Sequence, residues 1–407
     1  MSMASGRPRV VDMTLGPGRL RAWLAALIVG SVVLLASCVG ALAAELPPGS
    51  ERGGPVILGG PSPGGISSQN VEWVRHLPLD ADSSGARLVG EWLFVTNSRG
   101  LDIWNVSDPL NPSLASFLPL PQLPYNAEED VDTNGRVLLV STPVALYVVD
   151  VEDKSNPRVV GQLLGADQHT WTCVLDCRWA YGSYGAIVDL KDPSTPVVAG
   201  SWTDVAPAAS MHDVTEVKPG LIVTASQPMF LLDARQRPAQ PKVLASASSP
   251  DGRFVHSVAW PRAMDDRWLL VGGESTGPRC DEAEDGAFMV WDTKSWRKHR
   301  TFQMVSEYRI PSGTALDGKA PANVYCTHWF ENHPTFRDGG IVAHAWYEHG
   351  TRFYQVSRQG TIREIGYFLP YAGSTSAAYW VGDDVVYSID YNRGIDILKV
   401  AIPQHTH

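Results

Sequence analysis

Cysteine is scarce: 5 residues in 407, with no CxxC pair, which weighs against a zinc ribbon. Charge is thin too, at 19% of residues, and acids outnumber bases 43 to 33, for a formal net charge of −10. No Lys/Arg cluster stands in the body of the chain, so a nucleic-acid partner, which needs a basic face, is disfavoured. There is no HExxH helix, no P-loop and no dinucleotide fingerprint after a strand. What is present is 14 tryptophans, 37 glycines and 30 prolines, a composition suited to many short strands joined by tight turns.

One phrase recurs with variations. LDIWNVSDPLNP (residues 101–112) returns as LYVVDVEDKSNP (146–157), as AIVDLKDPSTP (186–196) and, worn, as MFLLDARQRPAQP (229–241). Each copy is an apolar strand, an acidic turn and a second strand started by proline. Such a unit cannot cover its own apolar faces, and repetition every 40–45 residues or so is the signature of radially stacked blades. Phased on Asn105, Asp150, Asp189, Asp233 and Asp292, the units give an all-β chain: a seven-bladed β-propeller of four-stranded antiparallel blades. The last blade offers three strands, SAAYWVG, DVVYSID and GIDILKV. VEWVRHLPL (71–79) matches the blade-closing pattern, so the ring is expected to close through an N-terminal strand, which protects both edges. The strand-end acids Asp102, Asp150, Asp189 and Asp233 read as caps for backbone amides in turns.

The N-terminus reads as an export signal. Arg7, Arg9, Arg19 and Arg21 precede an apolar run over 22–44. Leu35-Ala36-Ser37-Cys38 resembles a lipobox, with Cys38 as the lipidation site. Ala41-Leu42-Ala43 fits ordinary cleavage, and the run is also long enough to remain as a membrane anchor. Residues 1–44 are thus signal or anchor, 45–68 a flexible Pro/Gly/Ser linker, 69–402 the propeller and 403–407 a tail holding His405 and His407. Each alternative places the body outside the cytoplasm, lipid-anchored at the cell surface or secreted. In an oxidising compartment four body cysteines are expected in disulfides, Cys173 with Cys177 across a turn, and Cys280 with Cys326.

Histidines follow the repeat. His169 lies twenty residues before Asp189, His212 twenty-one before Asp233, and Asp130 twenty before Asp150. His256 holds the same place in blade five once its longer loop is allowed for, and His328 opens blade six. In a propeller this position is on the innermost strand, so the imidazoles converge on the axis. Several converging imidazoles suit Zn, Cu, Fe or Ni. Glu129, Asp130, Asp213 and Glu274 are candidates for ligands or for orienting carboxylates, and His344, Trp346 and Tyr347 for the wall, with His349 less favoured. In MHDV, adjacent His212 and Asp213 point to opposite strand faces and form no catalytic pair unless a bulge intervenes. A lone axial histidine is usually a satisfied structural group; four in phase argue for a site.

The repeats resemble those of the LVIVD family, an extracytoplasmic bacterial β-propeller group. HTWTCVLDC, MHDV, FVHSVAW, GPRC, YCTHW, AHAWYEHG, SAAYW and DYNRGIDIL resemble an exported actinobacterial branch of it. The resemblance spans residues 71–400 and implies the fold but no activity. The chain departs from it at Ala234-Arg235-Gln236, where an acidic turn belongs, and in blade six, which lacks the strand-end acid. The expected function is an extracytoplasmic binding module for an envelope protein, a glycan or a small ligand. It is expected to be monomeric, with no nucleic-acid partner and no membrane contact beyond its N-terminal anchor. The alternatives are a metal-dependent oxidoreductase, lyase or hydrolase using the histidine ring, and an inert structural envelope protein.

Overall fold

The computed structural model describes residues 58–120, 131–275, 286–310 and 326–402. Cys38, Glu129, Asp130, Cys280, His405 and His407 lie outside the described residues, as does the expected signal segment. The chain forms seven antiparallel sheets arranged as a seven-bladed β-propeller. The innermost strands are Ser83–Val89, Val131–Thr133, Trp171–Val174, Ser210–Lys218, Ser257–Ala259, Phe330–Asn332 and Thr375–Trp380. Each touches the next, and Thr375–Trp380 touches Ser83–Val89, so the ring is closed. The closing strand is the expected one: Val71–Leu77 pairs with Gly394–Val400 as the outer strand of blade seven.

Seven apolar clusters hold the ring, one between each pair of neighbouring blades. Blade five shows how a strand serves two of them. Leu269, Val271, Met289 and Trp291 pack toward blade four, while Trp268, Leu270, Phe288 and Val290 pack toward blade six. A strand alternates its side chains between faces, and here both faces are buried, so the sequence reads as an apolar run. In every blade the register slips between the third and outer strands, as at Val148/Val149 and Ile187/Val188. A bulge there increases the local twist, and it brings the outer strand against the next blade's turn. A Cβ on Gly161 would lie 2.0 Å from the Pro193 carbonyl oxygen, and one on Gly200 2.5 Å from that of Ala239.

The strand-end acids cap turns as expected. Asp150, Asp189, Asp233 and Asp292 accept from the amides of Glu152, Lys191, Arg235 and Lys294 at 2.8–3.1 Å. Asp233 does so despite the altered turn that follows it. Asp102 is different: it is buried within its strand and accepts from Asn97 Nδ2 at 2.9 Å. The segment expected as linker also differs. Leu58–Pro61 and Gly65–Ser68 are strands that extend blade six to six, with Gly65–Ser68 paired to Ile362–Pro370. The long outer strand of blade six offers an edge, and the hairpin covers it. Among the described residues no helix is long and apolar enough to cross a membrane.

Cys173 and Cys177 form a disulfide across a turn, with Cα atoms 4.3 Å apart. Leu175, Asp176 and Cys177 all adopt the left-handed conformation, which brings the chain back on itself. Cys326 is also disulfide-bonded.

Candidate metal centre

The four phased histidines meet at one end of the axis. Ring centroids are 4.5 Å apart from His169 to His212, 3.8 Å from His212 to His256, and 4.4 Å from His256 to His328. His212 is the extra residue of a bulge, since Met211 pairs with Ser226 and Asp213 with Ala225. Bulges re-aim side chains, and this one turns His212 toward the axis. Even so, Asp213 bonds to Thr170 and Thr215, not to His212. The same slip recurs at Ser84 in blade one and Ser376 in blade seven, so the ring position is serine in those blades.

Backbone carbonyls set the imidazole tautomers. His212 Nδ1 is 3.0 Å from the His256 carbonyl oxygen, and His328 Nδ1 contacts the Ser376 carbonyl. A carbonyl can only accept, so each Nδ1 carries the proton and Nε2 keeps its lone pair. For His212 this is the arrangement a metal ligand requires. His328 Nε2 instead lies 3.4 Å from the Tyr391 hydroxyl.

The ligating atoms that converge belong to His212, His256 and Glu274, all within 4.8 Å of one another. Atoms coordinating one ion at about 2.1 Å in a tetrahedron stand about 3.4 Å apart, so this group must draw together by roughly an ångström to close on an ion. Tyr347 donates its hydroxyl to Glu274 Oε1 at 2.6 Å and so orients the carboxylate. Tyr347 is itself left-handed (φ 48°), is bridged to Thr375 through the backbone, and stacks on Tyr391. Trp329 lies under the ring, 4.9 Å from His256, and its buried indole N–H has no acceptor among the described residues. Phe254 flanks His212 at 5.6 Å.

The expected residues thus fall into groups. His212 and His256 join Glu274 in one donor set, and His169 and His328 flank it. His344 is no wall residue. It sits among Phe288, Phe330, Trp346 and Tyr354, where burial holds its pKa well below the usual histidine value. Its Nε2 donates to the His328 carbonyl at 3.2 Å, so it braces His328 from behind. Trp346 belongs to the apolar cluster between blades five and six. His349 is buried outside the donor set. The sequence placed Glu274 only among candidate carboxylates and gave Tyr391 and Phe254 no role. The stretch 273–277 also spells the letters of the G-x-S-x-G nucleophile elbow, and its last two residues lie outside the described residues.

Comparison with protein-family models and with curated proteins finds no match.

Proposed function

We propose that this protein is an exported, LVIVD-type propeller that binds one transition-metal ion on its axis and uses the ion's open positions to hold a small ligand or an envelope partner. The converging donor set of His212, His256 and Glu274 carries the reading. Two imidazoles and one carboxylate form a borderline set that favours Zn, Fe, Cu or Ni over Ca or Mg. Three protein ligands leave coordination positions for an exogenous group. The Cys173–Cys177 disulfide supports residence in an oxidising compartment.

The same open coordination favours a second reading, a metal-dependent enzyme, because two histidines and a carboxylate are also a catalytic donor set. Elemental analysis of protein purified without an affinity tag tests both. One equivalent of metal is expected, lost in the His212→Ala/His256→Ala double variant. No bound metal after reconstitution with Zn, Fe(II), Cu and Ni would sink both readings. With metal bound, turnover in a substrate screen separates the enzyme from the binding module.

A further inference from the structure

Of the three donors, Glu274 has the least regular support. His212 stands in the inner strand Ser210–Lys218, and His256 directly precedes the inner strand Ser257–Ala259. Glu274 instead follows the second strand of blade five, Trp268–Gly272, on chain that belongs to no strand. Backbone bonds fix the near side of it: the His256 amide donates to the Gly272 carbonyl at 2.9 Å, and the Gly273 amide to the Ala287 carbonyl at 2.8 Å. On its far side the Ser275 carbonyl accepts from the Cys326 amide at 3.1 Å.

Cys326 is anchored by a covalent bond, not by a strand ladder. Residues 326–329 belong to no strand, while Cys326 is fully buried and disulfide-bonded. Its partner, expected as Cys280, lies outside the described residues. Cys326 packs so closely on Gly286 that a Cβ there would stand 2.6 Å from its own. Two residues further on, His328 flanks the donor set. The other disulfide stands at the opposite end of the axis. Cys173 and Cys177 line a cavity whose wall includes Asp132, Asp213, Glu216 and Glu331, and none of the three metal donors belongs to that wall.

We propose that the Cys326 disulfide holds Glu274 in place, so that the site binds its ion weakly until that bond has formed; the inference rests on the metal reading above. Cys326 acts through Ser275 and is a positioning residue, not a ligand. The donors must already draw together on an ion, and a carboxylate freed on its far side adds to that cost. Forming the bond takes two thiols to one disulfide and releases two protons and two electrons. An external disulfide accepts them and leaves as two thiols. Metal loading then follows oxidation of the chain, and the donor set is incomplete wherever thiols stay reduced.

Zinc affinity, read by competition with a chromophoric chelator, tests it in the Cys173→Ser/Cys177→Ser protein, where the other disulfide is absent. Reduction with a phosphine, removed before the titration, should weaken zinc binding ~10- to 100-fold, the usual cost of losing a partner that orients a ligand. Reoxidation with glutathione disulfide should restore it. Cys326→Ser should lock the weak state, and its cobalt(II) absorption spectrum should match that of Glu274→Gln. In a Glu274→Gln background reduction should change nothing further. Where Cys326→Ser fails to fold, the reversible reduction decides. Equal affinity in the oxidised and reduced proteins, an equal loss in the Glu274→Gln background, or unfolding on reduction by circular dichroism would each overturn the proposal. An oxidised wild type that binds no zinc, iron, copper or nickel would instead remove the metal reading, and this inference with it.

Discussion

The same seven inner strands build both ends of the axis, and the two ends differ in chemistry. At the histidine end, equivalent positions of successive blades carry the same residue type, and their rings lie within 3.8–4.5 Å of one another. At the other end the acids occupy unrelated positions of the repeat and stay apart round a cavity. A ring of like residues in phase is what repetition delivers when each blade faces the axis identically. A cavity with a varied wall needs each blade to differ. The comparison teaches that the repeat supplies convergence, while departures from it supply selectivity.

The sharpest way to break the contrast is to remove metal from one end and read the stability of the whole. A ligand at about 1,000 times its Kd adds about 4 kcal/mol to the folded state. Chelation should therefore lower the melting temperature of wild-type protein, and leave the His212→Ala/His256→Ala melting temperature where it was. A chelator-independent wild-type melt would show that the histidine end holds no ion.

The acid end has its own signature in pH. Burial pushes Glu331 up to about 7 from 4.5. Below about pH 4 the carboxyl is protonated folded or unfolded and contributes no pH dependence. As pH rises toward 7 the folded state holds a proton that the unfolded chain has released, so stability falls. Allowing for the residue's partial exposure, the loss is about 2 kcal/mol. Glu331→Gln cannot titrate, so its melting temperature should gain on the wild type between pH 4 and pH 8. A constant difference across that range would mean that Glu331 is solvated like a surface acid.

Much of this architecture was legible because the repeat is. The strand-end acids set the blade phase, and the match of 71–79 to a blade-closing pattern gave the ring closure. The histidine convergence followed from phase alone. Glu274 was harder to place, because it lies where blade five departs from the common spacing and no repeat partner marks it. Tyr347 reaches it only through a left-handed residue, which a sequence pattern does not announce. His344 reads as a wall residue because alternation fixes the face of a strand, not how far the neighbouring blade covers it. The hairpin ending at Ser68 reads as a tether because Gly, Pro and Ser disfavour strands; the open edge of Ile362–Pro370 decides otherwise. The cavity had no signal at all, since its acids share no phase.

A covalent staple stands at the acid end. Cys173 and Cys177 line the cavity, and the turn between them places the Leu175 amide on Glu216 Oε1 at 2.8 Å. Closing so short a loop restricts the unfolded chain by about 2 kcal/mol in the chain-entropy account. Cys173→Ser/Cys177→Ser should lower stability to denaturant by about that amount and leave metal content intact. Loss of metal in that variant would show that the two ends are coupled.

The smallest expected effect bears most directly on how the histidine end is organised. Tyr347 touches Glu274 through one hydroxyl, and its ring lies 4.5 Å from His328. Tyr347→Phe keeps the stacking on Tyr391 and removes only the bond that orients the carboxylate. Loss of such an orienting partner costs roughly tenfold in metal affinity. Competition with a chromophoric chelator should show that loss with little change in the melting temperature of the apoprotein. Glu274→Gln should weaken binding further, and Tyr347→Phe should add nothing in that background, because the carboxylate that Tyr347 orients is already gone. If the two changes instead multiply, Tyr347 acts on the ion through His328, and the third ligand must be sought among the flanking histidines.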